Sequence, residues 1–307
     1  MKYIKYFVAV LLLILSLGSC QNTNDEVEQE NIYKPNENPN ATPWITEVLD
    51  FSPAPGQFLN KVDNDQDTKD YIVGDTYTFL SLGTFGGSVS FKFDHSIMNQ
   101  EGNDLAIYGN PFEGSSEPGI VMVCQDLNGN GYPDDNEPWY QLKGSEYYKN
   151  ETKHHVSVTY YRPSATEDQH LIKYKKVYAG NTEEGILDFT PVIPWHPQPM
   201  FPSFYQENEI TFTGTLLESN VIVDDGIYYN KAYDWGYADN KGYEQEGKLR
   251  AADLFDISNA VDDNGKSVDL IAIDFVKVYT ATIDINGRIG ERSTEVFKAA
   301  DLSLLDK

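Results

Sequence analysis

Twelve consecutive residues hold the densest chemistry in the chain: Asp126-Leu127-Asn128-Gly129-Asn130-Gly131-Tyr132-Pro133-Asp134-Asp135-Asn136-Glu137. They match the calcium-loop pattern D-x-[DN]-x-[DN]-G-x(5)-E at every constrained position. A hard cation takes about six to eight oxygens, and alternate residues of a tight loop can aim side chains at one centre while a glycine makes the turn. The spacing therefore assigns calcium as the cofactor. Asp126, Asn128, Asn130 and Glu137 are the side-chain ligands, Tyr132 gives its backbone carbonyl, and Asp134 binds directly or through water. The flanks are an apolar strand and Trp139-Tyr140-Gln141-Leu142 rather than helices, and Pro133 deletes the backbone donor that paired helix-loop-helix units share. The loop thus reads as one grafted on a β-protein. The competing reading is a metal-free turn, because Asn, Gly and Asp make turns anyway.

A second constellation is aromatic. Trp195, Phe204 and Tyr205 fall in one Pro-rich stretch, and Tyr233, Asp234, Trp235, Tyr237 and Asp239 fall in another. Flat rings beside carboxylates give apolar area with a few placed hydrogen-bond partners, which the face of a sugar or the edge of a corrin macrocycle requires. The same rings would serve equally well to fill a core. Catalytic patterns are missing: the 5 histidines show no H-E-x-x-H spacing, and no G-x-S-x-G elbow occurs. Carboxylates are too numerous for one pair to stand out as a glycosidase acid and nucleophile. The expectation is a non-enzymatic binding module for a small molecule or glycan, with a carbohydrate-active hydrolase and a structural adhesin as the alternatives.

The elements that must position these groups read as strands. Val89, Phe91 and Phe93 alternate with Ser88, Ser90, Lys92 and Asp94, and Val156, Val158 and Tyr160 alternate with Ser157, Thr159 and Tyr161. These are period-two faces. Ile210 and Phe212 repeat the pattern, as do Ile271, Ile273 and Phe275, while Asn128-Gly129, Asn264-Gly265 and Asn286-Gly287 supply hairpin turns. The fold class is all-β, a jelly-roll-like β-sandwich over residues 44–307. One long aromatic-rich insertion, about 163–208, interrupts the regularity. Cys124 lies in an apolar run and reads as a buried, inert thiol.

Ahead of the sandwich, Lys2 and Lys5 precede an apolar run from Phe7 to Leu15 that ends in Leu17-Gly18-Ser19-Cys20. That run is shorter than the roughly 20 residues a membrane span needs, and small residues before a cysteine suit cleavage there. Residues 1–19 read as a lipoprotein signal peptide and Cys20 as the lipidated mature N-terminus; a plain secretory signal with an incidental cysteine is the alternative. Residues 20–43, polar and acidic, read as a flexible tether. An acidic patch just behind the lipidated cysteine resembles the surface-export signal of lipoproteins in the lineage that includes gut anaerobes. The expected location is the outer membrane of a Gram-negative-type cell, lipid-anchored and facing outward. With Lys+Arg 23 against Asp+Glu 48 and a net charge of -25, nucleic acid is excluded as an expected partner.

The series Leu82-Gly-Thr-Phe-Gly86-Gly87, Asp104-Leu-Ala-Ile-Tyr-Gly109-Asn110, Glu117-Pro-Gly-Ile-Val-Met-Val, the loop with Trp139-Tyr-Gln-Leu, and Ile273-Asp274-Phe-Val-Lys-Val-Tyr resembles a group of bacterial cell-surface lipoproteins with a discoidin-like jelly-roll pattern. The resemblance covers nearly the whole folded region. It implies a jelly roll on the cell surface and a role beside a TonB-dependent receptor in outer-membrane nutrient uptake, corrinoids such as vitamin B12 among the cargoes. It carries no catalytic residues.

Replacing Cys20 by alanine is expected to abolish lipidation, since no other thiol lies at a signal-peptidase boundary. Metabolic fatty-acid labelling checks this, and label retained on the mutant would remove the anchor.

Overall fold

Alternation of apolar and polar residues decides which strands share a layer. The computed structural model describes residues 33–59, 65–245, 248–286 and 290–305; Cys20, the signal segment and the first part of the tether lie outside the described residues. Thirteen principal strands run in chain order as β1 (Glu47–Ser52), β2 (Ser88–Met98), β3 (Leu105–Tyr108), β4 (Gly119–Cys124), β5 (Tyr140–Leu142), β6 (Lys153–Tyr161), β7 (Leu171–Tyr178), β8 (Asn181–Asp188), β9 (Glu209–Leu216), β10 (Ala252–Phe255), β11 (Ala260–Val261), β12 (Ala272–Thr280) and β13 (Lys298–Asp301). All pair antiparallel, in a six-stranded sheet ordered β1-β2-β12-β4-β5-β11, a four-stranded sheet ordered β9-β6-β7-β8 and a three-stranded sheet ordered β10-β3-β13. The molecule is an all-β sandwich.

The six-stranded sheet is covered on both faces. Val89, Phe91 and Phe93 of β2, Val276 and Val278 of β12, and Val121 and Val123 of β4 bury into one cluster with Leu105 and Ile107 of β3 and Ala299 of β13. Ile120 and Tyr279, one residue out of phase, belong to a second cluster with Val156, Val158 and Tyr160 of β6, Ile172 of β7 and Leu187 of β8. Alternate residues of a strand point to opposite faces, so β4 and β12 serve both clusters. The glycines between Leu82 and Val89 let the layers meet: a Cβ on Gly87 would strike the Leu82 carbonyl and the Ala54 nitrogen, and one on Gly86 would strike Phe212 of β9.

Two boundaries differ from expectation. The stretch 163–208 is not one irregular insertion, because β7 and β8 form a hairpin within it, paired from Leu171↔Asp188 to Tyr178↔Asn181. Ala179 and Gly180 both hold positive φ at its turn, 47° and 78°. Lysines and glutamates line that hairpin in place of an apolar alternation, which hid it from period counting. The aromatic-rich irregular part shrinks to 189–208, pinned to the second cluster by Phe189, Val192, Met200 and Phe201. The expected tether is likewise held to the domain well before Trp44. The Ser96 N–H donates to the Asn36 carbonyl at 2.9 Å, and the Asn36 N–H donates to Ser96 Oγ at 2.6 Å. β1 stops pairing with β2 at Lys92, leaving the polar backbone of Asp94 and Ser96 open, and the preceding segment fills it.

His95 ties β2 to β13. Its Nδ1 lies 2.9 Å from Asp94 Oδ1 and its Nε2 lies 2.8 Å from Asp301 Oδ2. Burial alone would lower its pKa, but the hydrogen bonds to Asp301 and Asp94 prevail and raise it above the ordinary 6.5. A raised histidine pKa stabilises the fold fully below the unfolded value, and that contribution is lost as pH rises through the folded value. The melting temperature is therefore expected to fall as pH rises above the ordinary histidine value of about 6.5, and to fall less in His95→Gln; equal slopes in thermal melts of the two proteins would contradict this.

Candidate metal centre and aromatic surfaces

The loop from Asp126 to Glu137 connects two adjacent strands, β4 and β5, paired at Met122↔Gln141 and Val123↔Tyr140. Its first residue is anchored to β12, the Asp126 N–H donating to Asp274 Oδ2 at 2.8 Å. The Asp126 carboxylate then gathers the backbone: Oδ1 accepts from Gly129 at 2.7 Å and Asn130 at 3.1 Å, and Oδ2 accepts from Gly131 at 2.7 Å. Gly131 makes the sharp turn with φ 81°. Asn128 Oδ1 accepts from the Asn130 N–H at 2.9 Å, and Asn130 Oδ1 accepts from the Tyr132 N–H at 2.7 Å. Glu137 is buried and closes the loop, its carboxylate accepting from Leu127 at 2.7 Å and from Asp134 at 2.9 Å.

These residues fit a calcium ion in type, and their arrangement shows what an ion would displace. The Asp134 carboxylate accepts from the side-chain amides of both Asn128, at 2.5 Å, and Asn130, at 2.8 Å. A cation would take the place of those NH₂ groups as the partner of Asp134, while each asparagine oxygen keeps a second lone pair beside its backbone bond. Tyr132 is exposed, with the Lys92 ammonium 4.6 Å from its ring centre, so its backbone carbonyl is the atom left for a metal. Lys92 also donates to the Gly131 carbonyl at 2.9 Å and pairs with Glu47 at 2.8 Å. Hydrogen bonds to charged groups contribute about 1.5–3 kcal/mol each. The Asp126 and Glu137 networks therefore hold this turn whether or not an ion is bound. Next to the loop, Cys124 is buried, and desolvation together with Glu137 and Asp274 pushes its thiol up to about 12, so it stays protonated.

A second acidic group is one that sequence spacing could not reveal. Glu117, Asp239 and Glu295 each bring a carboxylate oxygen within 4.8 Å of the others. Asp239 accepts from the Asn110 N–H at 2.8 Å and from the Glu295 N–H at 2.9 Å. Burial and the neighbouring Glu295 push the Asp239 carboxyl well above the usual carboxylate range. The three could hold a cation, and no local motif joins them.

The aromatic candidates separate into surface and core. Trp195 and Trp235 are exposed at 64% and 46%, whereas Tyr237 and Asp239 are 0% and 1% exposed. Tyr237 and Asp239 thus lie in the interior and not on the surface with the two tryptophans. The Tyr237 hydroxyl accepts from the Glu146 N–H at 3.0 Å inside the second cluster, and Asp239 caps backbone groups as above. Phe204, Tyr205 and Tyr233 are half-buried. Tyr205 donates to the Pro53 carbonyl at 3.0 Å with the Phe204 ring 4.7 Å away, and Tyr233 donates to the Glu218 carbonyl. Asp234 and Trp235 stand at a hollow of about 400 Å³ that Lys241, Phe255 and Asn259 also line. No contact among the described residues joins Trp195 to that hollow.

Saturating calcium, at about a hundredfold over its Kd, would stabilise the folded state by about 2.7 kcal/mol, which raises the melting temperature by several degrees. Asp126→Asn with Glu137→Gln removes two charges while retaining acceptor oxygens, and is expected to abolish the response. A wild-type melting curve that chelator leaves unmoved would make the loop a turn and nothing more. No protein-family model matches this sequence, and no curated protein matches it.

Proposed function

We propose that this chain is a lipid-anchored, surface-displayed and calcium-stabilised β-sandwich that captures an extracellular ligand, a corrinoid or a glycan, for an outer-membrane uptake system. The lipobox ending in Cys20 and the acidic segment behind it support the location. The observation that carries capture is the hollow of about 400 Å³ beside the exposed Trp235, with Asp234 and Lys241 at its wall. A concave site with an aromatic ring and a few placed polar groups is the usual form of a small-molecule site. Three of the 5 histidines are committed to the fold. His95, His154 and His170 each have both ring nitrogens within hydrogen-bond distance of partners in the fold. A proton-transfer role would need one of those nitrogens free for a substrate.

Trp235→Ala is expected to weaken capture by about 2 kcal/mol, roughly thirtyfold, as loss of an aromatic anchor does. The exposed ring makes the cost in stability small, within about 0.5 kcal/mol. Calorimetric titration of the wild type and of Trp195→Ala and Trp235→Ala with cyanocobalamin and a glycan panel, beside their melting curves, tests the reading. Stability lost with binding kept would mean that the indoles serve packing, and turnover of any glycan would replace capture by hydrolysis.

A further inference from the structure

The face of the six-stranded sheet opposite the first core cluster carries a row of side chains that packing alone does not explain. Strand register sets Asp50, Ser90, Lys277, Met122, Gln141 and Val261 directly across from one another, one per strand, from β1 to β11. Partners opposite in a ladder project to the same side. Edge strand β9 lies over this row, and two hollows of about 420 and 270 Å³ open between them. Lys277, Met122, Thr213 and Tyr279 line both, so the hollows are parts of one groove. Five interstrand spacings of about 4.8 Å give the row a span of roughly 24 Å.

Its polar groups are incompletely satisfied. Lys277 is half-buried at the middle of the row and has no hydrogen bond or ion pair among the described residues; the carboxylate that acts on it is Asp50, two strands away. Gln141 is 8% exposed, and one end of its amide has no partner. The other end meets Thr215 Oγ1 at 2.8 Å, and that hydroxyl also lies 3.2 Å from His154 Nδ1. His154 Nε2 lies 3.1 Å from the Tyr147 carbonyl. The Thr215 hydroxyl donates to Gln141 Oε1, and the Gln141 amide nitrogen is left unpartnered in the groove wall. A free ammonium and a free amide N–H in one row are both donors and match acceptor oxygens, which hydroxyls supply. Near the β11 end, Trp139 is half-buried and stacks on no ring among the described residues, with Asp262 alongside. An open ring face beside a carboxylate suits the apolar face of a pyranose.

We propose that this groove is a second binding site, separate from the Trp235 hollow, and that it takes a linear glycan chain. Trp139 stacks on one sugar ring at the β11 end, Lys277 and Gln141 bond hydroxyls at the centre, and Asp50 accepts from hydroxyls at the β1 end. The assignment extends the capture reading and names the ligand class for one of its sites.

Calorimetric titration of the purified protein with cellohexaose, xylohexaose, mannohexaose and hexagalacturonate tests it. At least one hexasaccharide should bind, with affinity falling tenfold or more in Lys277→Met and in Trp139→Ala and unchanged in Trp235→Ala; Lys277→Arg should retain most of it. Two substitutions, one at the centre and one at the β11 end of the groove, keep the test decisive if one of them fails to fold. Hexasaccharide binding lost in Trp235→Ala but kept in both groove variants would overturn the groove. Absence of binding to all four overturns it too, and a concurrent cyanocobalamin titration then shows whether the broader capture reading survives.

Discussion

Strand β12 has to satisfy two neighbouring strands and two different faces at once, and the rest of the molecule is arranged around that demand. It pairs with β2 on one side and β4 on the other, so its backbone from Phe275 to Tyr279 has a ladder partner on both sides. Val276 and Val278 turn to one apolar cluster while Tyr279 turns to the other. Asp274, one residue before that run in the strand, holds the first N–H of the Asp126 loop, and Lys277 stands in the groove. A single strand thus contacts the candidate metal loop, both cores and the polar row, which couples the stability of the sheet to the geometry of the loop and the groove.

The loop illustrates how one set of carboxylates can serve two purposes. Asp126 and Glu137 accept from backbone N–H groups within the turn, so both carboxylates are committed to the loop's own backbone. This means that the residues which define the motif would be retained by a turn that never met calcium, so the pattern alone could not separate the two.

Legibility followed one-sidedness. Val89, Phe91 and Phe93, like Val156, Val158 and Tyr160, face one apolar layer and carry a clear period of two. The β7–β8 hairpin did not, because Lys173, Lys175 and Lys176 occupy both faces of one strand and the other is mostly exposed. Tyr237 and Asp239 were read with Trp235 because aromatic and acidic neighbours look alike in sequence whether they line a surface or a core; only the fold sends residue 237 inward and residue 235 outward. The groups Glu117–Asp239–Glu295 and Lys277–Gln141 arise from strand order and register, which no local pattern encodes.

The segment that fills the open side of β2 has a consequence for how copies of this protein coexist at high concentration. An unfilled strand margin is a template for pairing with another molecule, and long exposed margins promote aggregation. Asn36 and Asn38 donate to the Asp94 carbonyl, and Asn36 exchanges bonds with Ser96, so that template is already occupied from within the same chain. Pro35 and Pro39 flank these bonds and offer no backbone N–H to a further strand. A chain begun at Trp44, where composition alone would draw the domain boundary, would lose this guard and expose the margin to its neighbours.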